Sequence, residues 1–414
     1  MSELEIVSRA GHPDFLDLRW DVELAEWDDS RLVNVARGVS RHIVRFLRYP
    51  SGIYAVKETR AERARSEYDL LRTIADRDLP VVEAIAVVSG RNTPGDGALV
   101  TQHLSFSLPY RYLFQGAVVE DLSQKLLDAL SLLLVRLHLE GIFWGDCSLS
   151  NTLFRRDAGA LAAYLVDAET ATIGAQRLSD GQRRHDIELA AENLGGEMLD
   201  LDAGGRLDSL LDPLAIGDDL RSRYDRLWHE LVDPEVLGLD TRHGLAARTR
   251  RLNNLGFDID EYRTRLTADG SHVQIVPRVV EQGHHRRRLQ QLTGLDVDEG
   301  QARRLLNNID EYRSELERQR KTQLPDALIA YEWLTRVYRP TLDALPDDLL
   351  IRLPEAEVFH QILEHRWYKS EEVGHDIGLD AARDSYSNEV LSHQPEEKAI
   401  LPDRVDEAGS SPLD

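Results

Sequence analysis

The residues best equipped for chemistry lie between Gly141 and Thr170, in the stretch GIFWGDCSLSNTLFRRDAGALAAYLVDAET. Asp146 is followed five positions later by Asn151, and the apolar run Tyr164-Leu165-Val166 then delivers Asp167. A carboxylate, an amide five residues on and a second carboxylate at a strand end are the groups that manage phosphate and Mg ions in phosphoryl transfer. In that chemistry Asp146 takes the proton of an attacking hydroxyl, while Asn151 and Asp167 hold the metal. Asp and Asn also serve turns through their own local hydrogen bonds, so the pattern gains its meaning from what precedes it.

The upstream elements come in the order such a site needs. Residues 32–36, 43–47 and 53–58 read as three strands, with a turn at Pro50-Ser51-Gly52. The third carries Ala55-Val56-Lys57, a strand lysine suited to neutralising nucleotide phosphates. Residues 60–75 then read as a helix with Glu67, Leu70, Leu71 and Ile74 on one face. Glu67 is the expected ion-pair partner that fixes Lys57, with Glu62 as the second candidate. Residues 81–88 and 98–103 read as further strands. The hinge at Gln102-His103-Leu104 is expected to turn its backbone toward an adenine. Phosphate cover falls to the first hairpin, through Gly38, Ser40 and Arg41.

Residues 122–139 form a strongly apolar helix that also carries Lys125, Asp128 and Arg136, so it is a buried core helix; Gly141 ends it. Beyond residue 205 the composition changes. Helical patterns cover 218–231, 245–255, 286–292, 299–316, 326–338 and 364–386, with a β-like pair at 262–266 and 273–276. The densest basic run is Arg286-Arg287-Arg288, which either grips a phosphate or is a solvated helix start. From about residue 393 the chain is rich in Pro, Glu and Ser and is expected to be disordered.

Bulk composition narrows the classes. The 414 residues are 42% hydrophobic, enough for a sizeable core, and carry a formal net charge of -23. That balance argues against a general nucleic-acid binder, which needs positive charge. The single cysteine, Cys147, rules out an intramolecular disulfide framework. No secretory leader and no membrane span are expected from the residue pattern, so a cytoplasmic location is the expectation.

Taken in order, Lys57, Glu67, Asp146, Asn151 and Asp167 give the first half a resemblance to the protein-kinase-like superfamily. It looks closest to the atypical branch of lipopolysaccharide (Kdo) kinases, RIO-type kinases and aminoglycoside phosphotransferases, which share a Gly-Asp or Ser-Asp catalytic loop, here Gly145-Asp146. Over residues 20–390 the chain is similar to a bacterial family of unknown function. In that family a lipopolysaccharide-kinase-like region precedes an uncharacterised C-terminal domain. The resemblance is carried by GVSRHIVRF (38–46), FSLPYR (106–111), FWGDCSLSNTLFRRDAG (143–159), YLVDAET (164–170), RRLNNLGFD (250–258), GHHRRRL (283–289) and LTGLDVDEGQARRLL (292–306).

The resemblance implies an α+β chain with a protein-kinase-like bilobal fold, an antiparallel sheet lobe and a helical lobe, followed by a mainly helical domain. The expected divisions are a lead-in (1–28), sheet lobe (29–104), helical lobe (105–205), C-terminal domain (206–390) and tail (391–414). It also implies ATP and Mg2+ as cofactors, and Asp186 as an anchor for the catalytic-loop backbone. An N-terminal-turn Asp favoured by the helix dipole is the other reading of Asp186.

The sequence departs from the pattern in ways that bear on substrate. There is no Gly-x-Gly-x-x-Gly, Trp144 stands where related loops carry a histidine, and Ala168-Glu169 follows Asp167. The segment from Asp167 to the next helix is too short to bind a peptide. The expected acceptor is therefore a small-molecule, sugar or lipid-linked hydroxyl. The alternative is a nucleotide-binding pseudokinase scaffold whose C-terminal domain recruits a protein partner. A third reading gives Arg286 to Arg288 and Arg303-Arg304 a phosphorylated ligand or RNA; the net acidity opposes it.

Overall fold

The computed structural model describes residues 3–35, 42–107, 119–205, 207, 212–233, 235–236, 248–252, 255, 257–266 and 273–394. Its first part is one antiparallel sheet of six strands: β1 (Glu5–Ser8), β2 (Leu32–Val33), β3 (Val44–Tyr49), β4 (Gly52–Thr59), β5 (Ala84–Ser89) and β6 (Gly97–Gln102), in spatial order β1-β5-β6-β4-β3-β2. Strand alternation decides which side chains face which layer. On β4, Tyr54 and Val56 are buried against Phe15, Trp20, Leu24 and Trp27 of the N-terminal segment, and Lys57 takes the opposite face. Buried Arg91 fastens that segment down, donating from Nε to the Trp20 carbonyl (3.1 Å) and from Nη2 to that of Val22 (2.8 Å).

Helix α1 (Ala61–Ala75) crosses the other face. Its buried residues Ala64, Glu67, Tyr68, Leu71 and Ile74 follow the three-and-four spacing of one helical stripe. Helix α2 (Val119–Leu139) is the core of the next part, and Gly141, at φ 74°, ends it in the left-handed region. Then come β7 (Ile142–Phe143), the hairpin β8 (Thr152–Asp157) and β9 (Ala160–Leu165), and β10 (Thr172–Ile173), which pairs with β7. Helix α3 (Asp180–Ala203) starts in a capping box: Ser179 accepts from the Gln182 amide while the Gln182 side chain accepts from the Ser179 amide. Helix α4 (Ala215–Val232) packs against α2 and α3.

The remainder has a three-stranded antiparallel sheet, β11 (Glu235–Val236), β12 (Phe257–Leu266) and β13 (Val273–Gln282), in order β11-β13-β12. Seven helices follow: α5 (His284–Thr293), α6 (Glu299–Arg320), α7 (Asp326–Trp333), α8 (Arg339–Asp343), α9 (Asp347–Leu350), α10 (Glu355–Val373) and α11 (Leu379–Glu389). They surround their own core of Leu305, Trp333, Tyr338, Phe359 and Tyr386, separate from the core around α2 that contains Leu130, Trp144, Leu194 and Trp228.

The chain is thus mixed α+β, with an antiparallel sheet lobe, a helical lobe and a helical C-terminal part. Three local readings change. The expected β pair is longer on both sides than its apolar core suggested, running to Phe257 and Gln282. The stretch 364–386 is two helices, because Gly374 (φ 77°) closes α10 and Gly378 (φ 79°) precedes α11. Strand β8 is an addition to the sequence reading: Thr152 and Phe154 alternate inward, but the charged Arg-Arg-Asp that follows cuts the pattern short. Among the described residues no helix is long and apolar enough to cross a membrane.

Candidate active site

Lys57 stands on β4, and α1 brings Glu67 to it. The Nζ lies 3.0 and 3.1 Å from the two Glu67 carboxylate oxygens, 2.8 Å from Asp167 and 3.6 Å from Glu169. Glu62, the second candidate, is exposed in the first turn of α1 and has no part in this cluster. Burial pushes the Glu67 carboxyl up to about 7, against the pull of the Lys57 charge. Burial likewise works against the Lys57 ammonium, but the charges of Glu67 and Asp167 outweigh it and hold it above its ordinary value. At Asp167 burial is again opposed by Lys57, which holds that carboxyl below the usual range.

The β8–β9 hairpin explains how residues sixteen apart in sequence, Asn151 and Asp167, come together. Thr152 pairs with Leu165 in the ladder, and the Val166 amide donates to the Asn151 carbonyl (3.0 Å). Asn151 therefore ends one arm of the hairpin as Asp167 follows the other. The Asn151 amide nitrogen donates to the Asp146 carbonyl (3.0 Å) and to its carboxylate (3.1 Å), closing the loop between them.

Below this loop, α3 supplies a polar stripe on one face. Fully buried Asp186 accepts from the Trp144 and Gly145 amides, each at 2.8 Å, and pairs with His138 at 3.0 Å. It is thus a backbone anchor, not a solvated first-turn residue. Seven residues on, Asn193 donates to the Asp146 carboxylate (3.3 Å) and the Cys147 carbonyl (3.1 Å). Four further, Glu197 accepts from the amides of Leu149 (2.7 Å) and Ser150 (3.0 Å). Sequence reasoning missed Asn193 and Glu197. Their spacing of seven and then four from Asp186, on a helix otherwise buried by Ile187, Ala190 and Leu194, was the available signal.

Trp144 does work of its own. Its indole donates to the Asp167 carbonyl (2.9 Å), and the Thr170 hydroxyl donates back to the Trp144 carbonyl (2.9 Å), so the two loops are tied. Gly145 follows at φ 79°, and a Cβ there would stand 3.0 Å from the Phe143 ring. Glu169 was also missed. It pairs with Arg63 of α1 at 2.6 Å and with His42 at 2.9 Å, joining the Asp167 loop to the sheet lobe. Cys147 is buried, which pushes its thiol far above its ordinary range and leaves it inert.

Of the other expected site residues, Gly38, Ser40 and Arg41 lie outside the described residues. The Gln102 amide donates to the Glu83 carbonyl and the His103 amide to that of Ile53, both at 2.8 Å, so neither N–H is left for a base. Burial pulls His103 down to about 4, which keeps it neutral, and its ring meets Phe46 edge-on. Arg286, Arg287 and Arg288 each pair with a carboxylate, respectively Asp296, Asp78 and Asp326.

The oxygen donors fit a divalent cation. Carboxylate atoms of Glu67, Asp167 and Glu169 all lie within 4.8 Å of one another, a hard-oxygen set of the kind Mg2+ accepts.

No curated protein sequence matches the chain. Among solved structures it is similar to one described as WaaP in complex with acyl carrier protein, at 16% identity and a TM-score of 0.31, over 54% of this chain and 88% of that one. Residues 226–391 match the family model described as a domain of unknown function, DUF4032.

Proposed function

We propose that the chain is an ATP- and Mg-dependent phosphotransferase of the atypical kinase type, acting on a small-molecule, sugar or lipid-linked hydroxyl. The observation that carries this reading is the meeting of Lys57, Glu67 and Asp167 at one point, with the Asp146 carboxylate held by Asn151, whose own carbonyl is bonded to the residue before Asp167. Lys57, fixed by Glu67, holds the nucleotide phosphates. Asp146 orients the acceptor hydroxyl and takes its proton as the new P–O bond forms and the bond to ADP breaks. Asn151 and Asp167 hold Mg2+, which when bound neutralises charge on the phosphate oxygens. The Asn193 and Asn151 amides fix which way the Asp146 carboxylate faces.

The test is a thermal-shift titration with ATP, with and without Mg2+, on the wild type and Asp167→Ala. Ligand at 100 times its dissociation constant adds about 2.7 kcal/mol to the native state. A Mg-dependent rise in melting temperature that Asp167→Ala abolishes supports the reading; no shift with any nucleotide ends it. Asp146→Ala is expected to keep the shift and to lower turnover by about 10²- to 10⁴-fold.

A second reading, a nucleotide-binding scaffold without turnover, is favoured by one observation. Lys57 is engaged by three carboxylates, so binding phosphate requires exchanging partners. Phosphate transfer to any acceptor that Asp146→Ala removes would exclude it.

A further inference from the structure

The β8–β9 hairpin has two ends. One carries Asn151 and leads into Asp167; the other is gripped by the C-terminal helices. Its tip turns through two positive-φ residues, Ala158 (52°) and Gly159 (82°). The Asp157 carboxylate there accepts from the amides of Gly300 (2.9 Å) and Gln301 (2.6 Å), in the first turn of α6. This is a helix cap supplied by another part of the chain. The helix's own N-cap residue, Asp298, makes no side-chain cap bond. It accepts instead from Nε and Nη2 of Arg155, each at 2.6 Å, and from the Tyr164 hydroxyl, one residue from each strand of the hairpin.

The grip continues around the tip. Glu357 of α10 accepts from the Ala158 amide (3.0 Å), and the Gln301 side chain donates to the Arg156 carbonyl (3.0 Å). Asp298, Gln301 and Glu357 are all buried. A Cβ on Gly300 would come within 2.8 Å of the Asp157 carboxylate, so glycine is what lets the two approach. The two hydrophobic cores stay separate, and the seam is made of directional polar bonds. A cavity of about 300 Å³ lies along it, lined among others by Arg136, Asp157, Tyr164 and Arg303.

We propose that the C-terminal helices set the position of Asn151 and Asp167 through this hairpin, with Asp157, Asp298 and Tyr164 as positioning residues. The proposal rests on the phosphotransferase reading. Six residues of strand span about 20 Å, so a pivot of about 3° at the tip moves the far end by about 1 Å. A displacement of that size costs on the order of 100-fold in a positioned reaction. Coupling is reciprocal: if the seam favours the metal-binding geometry, Mg-nucleotide favours the closed seam by the same factor.

The experiment is hydrogen exchange on the full chain at the Gly300 and Gln301 amides, with and without Mg2+ and a non-hydrolysable ATP analogue. Exchange is expected to slow about 5-fold or more on binding. Asp157→Asn is expected to raise the Mg2+ concentration needed for half-maximal nucleotide binding by a similar factor. Tyr164→Phe, which removes one hydroxyl and keeps the ring, serves the same end should Asp157→Asn not fold. A purely structural role would lower the melting temperature of both variants without moving the Mg2+ midpoint. Bound analogue with unchanged exchange and an unchanged midpoint overturns the coupling and leaves the phosphotransferase reading standing. A wild type that binds no Mg-nucleotide removes both, and the thermal shift identifies that case.

Discussion

One hairpin joins two half-buried polar clusters whose carboxylates are met by different partners. At its Asn151 end, the carboxylates of Glu67, Asp167 and Glu169 face Lys57 and the exposed Arg63, so negative charge is in excess. At its tip, Arg155 meets Asp298 in a two-pronged pair, and Asp157 and Glu357 are met by backbone amides. An excess of ionised oxygen in a buried place is costly unless a cation comes to it. At the tip the three carboxylates also outnumber their one guanidinium, but Asp157 and Glu357 are taken up by backbone amides, and burial with the Asp298 charge raises Asp157 to about 7. The first cluster is arranged to receive, the second to hold.

The largest effect that would break this contrast lies beneath the receiving end. Asp186 is fully buried and satisfies two backbone amides and His138. Asp186→Ala leaves all three without their acceptor, and destabilisation of about 3 to 5 kcal/mol is expected from urea unfolding. A loss under about 1 kcal/mol would mean that the loop at Trp144 and Gly145 is not anchored from α3.

The holding end is probed by pH. Burial, and then the neighbouring Asp298 charge, push the Asp157 carboxyl up to about 7, with the two amide bonds opposing. An acid whose pKa is raised by folding binds more protons in the folded state between about 4 and 7, so its contribution to stability falls as pH rises through that window. Glu67, also raised to about 7, contributes a slope of the same sign, whereas Asp167 and Glu169, both lowered, contribute the opposite one. Asp157→Asn is therefore expected to show a shallower loss of stability from pH 5 to 7 than the wild type. Equal slopes in a pH series of melting curves would show that Asp157 is ionised throughout.

The residues that speak through local pattern were legible in the sequence. Lys57 on an apolar strand and Glu67 on the buried stripe of an amphipathic helix announce themselves by period, as does Asp146 five residues before Asn151. What could not be read depends on distant partners. Asn193 and Glu197 look like solvated helix residues until the loop they hold is known, and Glu169 looked like a mere departure from a motif. The seam is harder still: Asp157 and Gly300 are unremarkable alone, and only the fold shows that one caps the other's helix. The Gln102 and His103 amides are another case, since each donates to a distant carbonyl, Glu83 and Ile53, that no local pattern names.

The smallest effect separates two glutamates five residues apart on α1. Glu62 is exposed at the first turn, where its charge meets the helix N-terminus. Favourable dipole contacts at such positions are worth about 0.3 to 1 kcal/mol. Glu62→Ala is accordingly expected to change stability by less than about 1 kcal/mol and to leave nucleotide affinity unchanged. Glu67→Ala strips the half-buried Lys57 of its two bonds to α1, and leaves that ammonium to Asp167 and Glu169. If Asp167 holds the metal as proposed, Lys57 would then compete with it for that carboxylate, so nucleotide binding is expected to weaken most at low Mg2+. Equal nucleotide affinities for the two variants in a titration over Mg2+ would mean that Lys57 is positioned by its strand, and that the excess charge at this end of the hairpin serves only to balance the lysine.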